Sequence, residues 1–174
     1  MTRVVEIRAL RKEDDRSGFS CGEADLDRFF QHYAGQNQFK LNLTVTHVAV
    51  ADGRIIGFAT VAVGDIEREK VPSAKLRKRL PAYPLPMLRL ARLGVDQRAQ
   101  GLGIGKALLR HVFNLALEQR KKLGCVGVVT DAKPQAVGFY ETLGFIALEG
   151  VRQGVLQGEQ TPMFLAIGSI DASR

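Results

Sequence analysis

The run Arg98-Ala99-Gln100-Gly101-Leu102-Gly103-Ile104-Gly105-Lys106 has the residue types and spacing to hold an anion. Three alternate glycines remove side chains where the backbone must turn from a strand into a helix. The turn leaves a row of N–H donors at the positive end of the helix dipole, which makes a cradle for a pyrophosphate. Arg98 and Lys106 add positive charge at its rim. A Rossmann site needs G-x-G-x-x-G after the first strand and an acidic residue about 20 positions on. Here the pattern is G-x-G-x-G and falls mid-chain. A Walker loop needs Ser or Thr after Gly105-Lys106, where the chain has Ala107. A glycine turn that binds nothing would use the same residues, so the loop alone leaves the ligand open.

Few other side chains qualify for chemistry. Asp65, Glu67 and Glu69 are carboxylates without an assignable partner. His47 lies on an interior-looking strand and reads as a satisfied core histidine, while His32 and His111 read as helix-surface residues. Cys21 and Cys125 are far apart, share no metal spacing with any histidine, and read as reduced thiols. No metal site is expected. The net charge is +7, which favours an anionic partner. The charge concentrates in Lys75, Arg77, Lys78 and Arg79, with Arg89 and Arg92 following. Such a run is a solvated face or a surface for nucleic acid.

The elements that must position these residues follow from periodicity. With 174 residues, 45% hydrophobic and 25% charged, the chain is expected to fold as one domain rather than remain disordered. No stretch reaches the roughly 18 apolar residues of a membrane span, and Met1 to Arg11 lacks a signal-peptide core, so a cytoplasmic protein is expected. Residues 2 to 10 predict a first strand. Ser20-Cys21-Gly22-Glu23 has the form of a capping box. Leu26, Phe29, Phe30 and Tyr33 then predict one apolar helical face, with Gly35 as its stop. Residues 44 to 51 and 54 to 63 predict a hairpin turned at Asp52-Gly53. Residues 64 to 86 hold four prolines and read as a loop around a short basic helix near 73 to 80. A strand over 87 to 95 precedes the glycine turn, and a long helix follows it to Lys122. A strand over 125 to 130, a helix over 134 to 143 and strands over 144 to 149 and 161 to 167 complete a mixed α/β order.

Two segments together resemble the GNAT superfamily of N-acetyltransferases. Arg98-Ala99-Gln100-Gly101-Leu102-Gly103 matches its R/Q-x-x-G-x-G/A signature, and Arg92-Leu93-Gly94-Val95-Asp96 is similar to the strand before it. Phe139-Tyr140-Glu141-Thr142-Leu143-Gly144-Phe145 matches its helix-borne F-Y-x-x-x-G-F. A narrower resemblance is to the GNAT toxins of bacterial toxin–antitoxin modules. It rests on Phe19-Ser20-Cys21-Gly22-Glu23-Ala24-Asp25-Leu26-Asp27, Leu90-Ala91-Arg92-Leu93-Gly94-Val95-Asp96 and Val129-Thr130-Asp131-Ala132-Lys133. At Asp131 the chain departs from the asparagine common in the superfamily and agrees with the toxin branch.

The resemblance implies a single-domain GNAT fold over residues 1 to 174: a mostly antiparallel mixed sheet, a splayed central strand pair and flanking helices. It implies a CoA-binding core at about 87 to 147 and acetyl-CoA as co-substrate. Leu93, Val95, Asp131 and Phe139 join the loop residues Arg98 to Lys106 as cofactor contacts, and Tyr140 is the general acid that protonates the departing sulfur. The Val95 N–H would steady the carbonyl oxygen. The toxin branch implies acetylation of the α-amine of aminoacyl-tRNA, which blocks translation, together with a cognate antitoxin and a homodimer. Lys75, Arg77, Lys78, Arg79, Arg89 and Arg92 would then meet the RNA. The scarcity of bases fits such an acceptor, since an α-amine titrates near 7.7 to 8.0 against about 10.4 for lysine. Two alternatives stand beside this reading: a GNAT enzyme acting on a small amine or a protein N-terminus, and a non-catalytic CoA-binding regulatory module.

Overall fold

Left-handed φ values of 53° at Asp52 and 74° at Gly53 close the tight turn that the sequence predicts there. The turn joins β2 (Val45–Ala51) to β3 (Arg54–Ile66) as an antiparallel hairpin, with β1 (Glu6–Ala9) antiparallel on the outer side of β2. The computed structural model describes residues 4–148 and 159–172. The remaining strands are β4 (Leu85–Val95), β5 (Gly127–Ala132), β6 (Ile146–Ala147) and β7 (Thr161–Ala166). The seven form one sheet in the order β1-β2-β3-β4-β5-β7-β6. The helices are α1 (Ala24–Arg28), α2 (Ala74–Arg77), α3 (Ile104–Lys122), α4 (Val137–Thr142) and α5 (Ile167–Ala172). This is the α/β class expected from the sequence.

The chain divides into two compact units, Met1–Ala62 with Leu90–Asn114, and Val63–Arg89 with Leu115–Arg174. In the first, alternation along the strands sends side chains to opposite faces. Val48 and Phe58 join Leu10, Phe19, Leu26, Phe29, Phe30 and Ala34 in one apolar cluster. The Phe30 and Phe58 rings stack with centroids 4.5 Å apart. Gly57 serves the α3 side: a Cβ there would come within 3.0 Å of Ile104 and Leu108 side-chain atoms. In the second unit, Ile66, Val71, Leu85, Met87, Val129 and Phe164 form a separate core. There β7 pairs antiparallel with both β5 and β6.

Several local expectations need correction. The Ser20 capping box does not form. The helix is capped at Glu23 with no side-chain bond, and the Cys21 N–H instead donates to Asp27 Oδ1 at 2.8 Å. Gly35 does not stop the helix. α1 runs on through two π-helical stretches, Phe29–Tyr33 and Gln36–Lys40. Gly35 keeps helical dihedrals, and its missing side chain leaves room for Arg16, whose guanidinium would lie 2.9 Å from a Cβ and donates to Phe30 O. The extra residue of the π turn rotates the helix face, so Ala34 is fully buried while Tyr33 is 50% exposed. β3 extends to Ile66, shortening the expected loop, and the basic helix covers only Ala74–Arg77, capped by Ser73. β5 begins at Gly127, and β6 keeps only two residues of the strand predicted over 144 to 149. Met1, Thr2 and Arg3, and Glu149 at the end of that strand, lie outside the described residues. α5, whose Ile170 is buried, was not expected from the periodicity.

Candidate active site

β4 delivers the chain into the glycine loop through a buried carboxylate. Asp96 caps the 3-10 turn Gln97–Ala99, accepting from the Arg98 N–H at 3.0 Å, and holds the Arg98 guanidinium in a two-pronged pair at 3.0 and 3.1 Å. Its second oxygen also accepts from the Ser20 N–H at 3.2 Å. These donors, the Arg98 side chain first, hold the Asp96 carboxyl down at about 2. Beyond the turn, Gly101 and Gly103 both have φ of 81°, a region closed to most side chains. Gly105 differs: it lies inside α3 with no positive φ. The first bond into α3 runs from the Ala107 N–H to Gly103 O at 3.1 Å. The N–H groups of Gly103, Ile104, Gly105 and Lys106 therefore precede the helical ladder.

The loop fits an anionic ligand. A Cβ on Gly101 or Gly103 would meet nothing within 4 Å, so the glycines leave open space in front of those donors. Leu102 is 62% exposed and Lys106 is exposed. Ala99 and Ile104 are buried and anchor the two ends. Arg98 is committed to Asp96, so its charge at the rim is partly neutralised. Leu93 and Val95 lie half-buried on β4, and Gly94 gives way to the Phe58 ring, 2.8 Å from where a Cβ would stand.

The opening segment braces this loop. Ser20 O accepts from the Gln97 N–H at 2.8 Å, and the Gln100 side chain donates to Cys21 O and Val95 O, each at 3.1 Å. Gly22, with φ of 93°, clears the Gln97 side chain, whose Nε2 would stand 2.8 Å from a Cβ. Burial pushes the Cys21 thiol up to about 11, which leaves it a structural group.

The second unit holds Tyr140. The motif around it is a helix C-cap. The Phe145 N–H returns to Tyr140 O at 3.1 Å, the Gly144 N–H to Glu141 O at 3.0 Å, and Gly144 supplies φ of 97°. That is the Schellman arrangement, completed by the Tyr140 and Phe145 rings 5.3 Å apart. The spacing Tyr-x-x-x-Gly-Phe therefore fixes the tyrosine ring through the backbone. Phe139 packs edge-on to it at 5.3 Å. Tyr140 is 5% exposed. Burial pushes its hydroxyl up from the ordinary phenol value, and its hydrogen bond with Thr130 offsets part of that. A phenol so held keeps its proton at neutral pH and can only donate it.

Asp131 is exposed on β5 and ion-paired with Arg89 at 3.6 Å. Arg77 is half-buried and donates to Val71 O at 2.6 Å, whereas Lys75, Lys78 and Arg79 are exposed. Arg92 is exposed, with its guanidinium 4.2 Å from the Phe29 ring centroid. Asp65, Glu67 and Glu69 are all exposed. His111 is half-buried rather than on the open helix surface: its Nε2 lies 2.8 Å from Nδ1 of buried His47. Sequence reasoning named Asp96, Ser20 to Gly22 and Thr130 only as parts of motifs and missed their roles: the buried cap and arginine partner, the brace of the loop, and the hydrogen bond to Tyr140. Among the described residues, no group of three or more His, Cys, Asp or Glu side chains is placed to hold a metal ion.

Residues 42–147 match the family model described as an acetyltransferase (GNAT) domain. A tRNA-acetylating toxin of Mycobacterium tuberculosis is 30% identical over 139 residues, 79% of this chain and 82% of that protein. Two solved structures align along nearly the whole chain. One is a tyrosine-to-phenylalanine mutant of KacT, with a TM-score of 0.88 at 26% identity over 98% of this chain and 99% of the other. The other is AtaT complexed with acetyl-methionyl-tRNAfMet, with a TM-score of 0.84 at 26% identity and the same coverage.

Proposed function

This chain belongs to the GNAT family of acetyltransferases, and on that premise we propose that its acceptor is the free α-amine of an aminoacyl-tRNA, whose acetylation blocks translation. The observation that carries the proposal is the likeness, over 98% of the chain, to AtaT in complex with its acetylated tRNA. Acetyl-CoA supplies an acetyl thioester, an acyl group already activated for attack by a neutral amine.

The chain's own groups then have distinct tasks. The N–H donors from Gly103 to Lys106 hold the pyrophosphate, and Gly101 and Gly103 keep that space clear. Asp96, Gln100 and the Ser20–Gly22 segment position the loop. Leu93 and Val95 offer backbone groups along β4, and the Val95 N–H stabilises negative charge on the carbonyl oxygen. Tyr140 donates its proton to the departing sulfur; burial keeps the phenol protonated at neutral pH, so that proton is present to be given. Asp131 and Phe139 contribute cofactor contacts. Arg89, Arg92, Lys75, Lys78 and Arg79 meet the RNA backbone, with Arg77 shaping the segment through Val71 O.

An α-amine beside an ester titrates below the ordinary value of about 7.7–8.0, so a substantial fraction is neutral at pH 7 and the acceptor brings its own reactivity without a strong base. The proposal extends to the cytoplasm as its place of action, where charged tRNA is found. It also extends to a homodimer and to a small antitoxin that covers the basic surface. Cell-free translation tests the function: the protein should arrest synthesis only when acetyl-CoA is supplied. Arrest that is independent of acetyl-CoA, or no arrest with it, would overturn the proposal.

A further inference from the structure

A cavity of about 400 Å³ opens in the first unit, lined by Asp25, Arg28, Phe29, Tyr33, Asn37 and Arg92. The function described so far uses only one of these residues. By α-helical periodicity Tyr33 belongs on the apolar face of its helix, four residues after Phe29. The Ala34 N–H reaches back five residues to Phe29 O, a π turn that swings Tyr33 out to 50% exposure and puts Ala34 in its core position. Such turns gather at functional sites. Beside Tyr33, the Arg92 guanidinium lies over the Phe29 ring while the residue stays exposed. Arg28, 60% exposed, is paired with Asp25 at 3.3 Å.

We propose that this cavity takes an unpaired nucleotide at the 3′ end of the RNA, with its base on Tyr33 and its phosphate on Arg92 and Arg28. The inference rests on the RNA acceptor proposed above. The chemistry selects this occupant over others. Three charged side chains reject an apolar ligand. A free phosphate would use the arginines but leave the exposed tyrosine and Asn37 uncontacted. A nucleotide uses all of them: anionic phosphate, planar base, and edge groups that match Asn37 and Asp25. A paired base keeps both faces stacked, so the nucleotide must be single-stranded. Arg92 lies three positions before Val95 on β4, so the strand that presents the proposed acetyl-steadying N–H also carries the cavity's arginine.

The test is the affinity of two labelled RNA hairpins, one ending in an unpaired CCA and one blunt. Stacking is worth about 1–3 kcal/mol per base, or roughly 5- to 150-fold. Wild type should prefer the CCA hairpin by a factor in that range. Tyr33→Ala should erase the preference, and Tyr33→Phe should keep it. Both substitutions are at an exposed position and should leave acetyl-CoA affinity as a check on folding. Equal binding of the two hairpins by wild type, or an intact preference in Tyr33→Ala, overturns the assignment. Acetylation of charged tRNA is scored separately. An end preference without acetylation removes the acceptor reading but not the cavity, and acetylation without an end preference does the reverse.

Discussion

Replacing Gly103 by Asp tests the cradle where its geometry is most demanding. Gly103 sits at φ of 81° with open space on the side a Cβ would occupy. The backbone strain of a side chain in that region is about 1–2 kcal/mol, lower for Asp, which tolerates the left-handed region better than most residues. The fold should therefore survive. The larger effect is on the ligand. A carboxylate about 4 Å from a phosphate charge costs from about 1 kcal/mol in full water screening to about 4 kcal/mol near a protein surface. A net penalty of roughly 2–4 kcal/mol lowers acetyl-CoA affinity by roughly 30- to 700-fold. Gly103→Ala carries the strain without the charge and should lose much less. Titration calorimetry on wild type and both variants, with thermal melts as a fold check, measures this directly. The gap between Asp and Ala should narrow as salt is raised, because the screening length contracts from about 10 Å at 0.1 M to about 3 Å at 1 M. Equal acetyl-CoA affinity in wild type and a folded Gly103→Asp would refute the cradle.

Three further outcomes are expected. Tyr140→Phe removes only the hydroxyl and its bond with Thr130, so the melt should shift by no more than about 1 kcal/mol while single-turnover acetylation slows by about 10²–10⁴-fold; near-normal turnover would pass the proton donation to another group. His47 is held down at about 4 by burial and then by the charge of His111, whereas an unfolded histidine titrates near 6.5. As pH falls from 6.5 to 4 the unfolded chain takes up a proton that the folded chain refuses, so stability present above 6.5 is lost across that window, by up to about 3 kcal/mol. Urea melts of wild type and His47→Gln should differ in their pH slope there, and identical slopes would count against the buried pair. Neutralising Lys75, Lys78 and Arg79, leaving Arg77 on Val71 O, should weaken tRNA binding and lower the slope of log affinity against log salt by about 0.7–0.9 per lost phosphate contact; an unchanged slope would leave those residues as a solvated face.

Much of the fold was legible because its signals are local. Asp52-Gly53 demands a left-handed pair, and the alternation on either side leaves only a hairpin. Gly101 and Gly103 announce a turn before a long apolar stripe, and the structure puts both at positive φ. The Tyr140 motif was recognisable as a pattern, but its physical content is the cap formed by Gly144 and Phe145. What escaped depends on distant partners. Asp96 reads as one more acidic residue until Ser20, 76 positions away, is seen to donate to it. His111 looks like a surface residue because its partner lies 64 positions away on another element. The π turns follow from tertiary fit around Ala34 and Gly35, where no propensity scale separates i+4 from i+5 bonding. The motif from Phe19 to Asp27 was legible as a resemblance, but its role as the brace of the glycine loop rests on bonds to residues more than 70 positions away.

The acceptor itself is tested most directly by chemistry on charged tRNA. The protein, acetyl-CoA and a pool of aminoacylated tRNAs are incubated, the RNA is digested to nucleosides, and the aminoacyl-adenosines are weighed by mass spectrometry. The account predicts at least one aminoacyl-adenosine heavier by a single acetyl group on its α-nitrogen, dependent on acetyl-CoA and formed about 10²–10⁴-fold more slowly by Tyr140→Phe. Acetyl-CoA turnover with small amines while every aminoacyl-adenosine keeps its mass would contradict it.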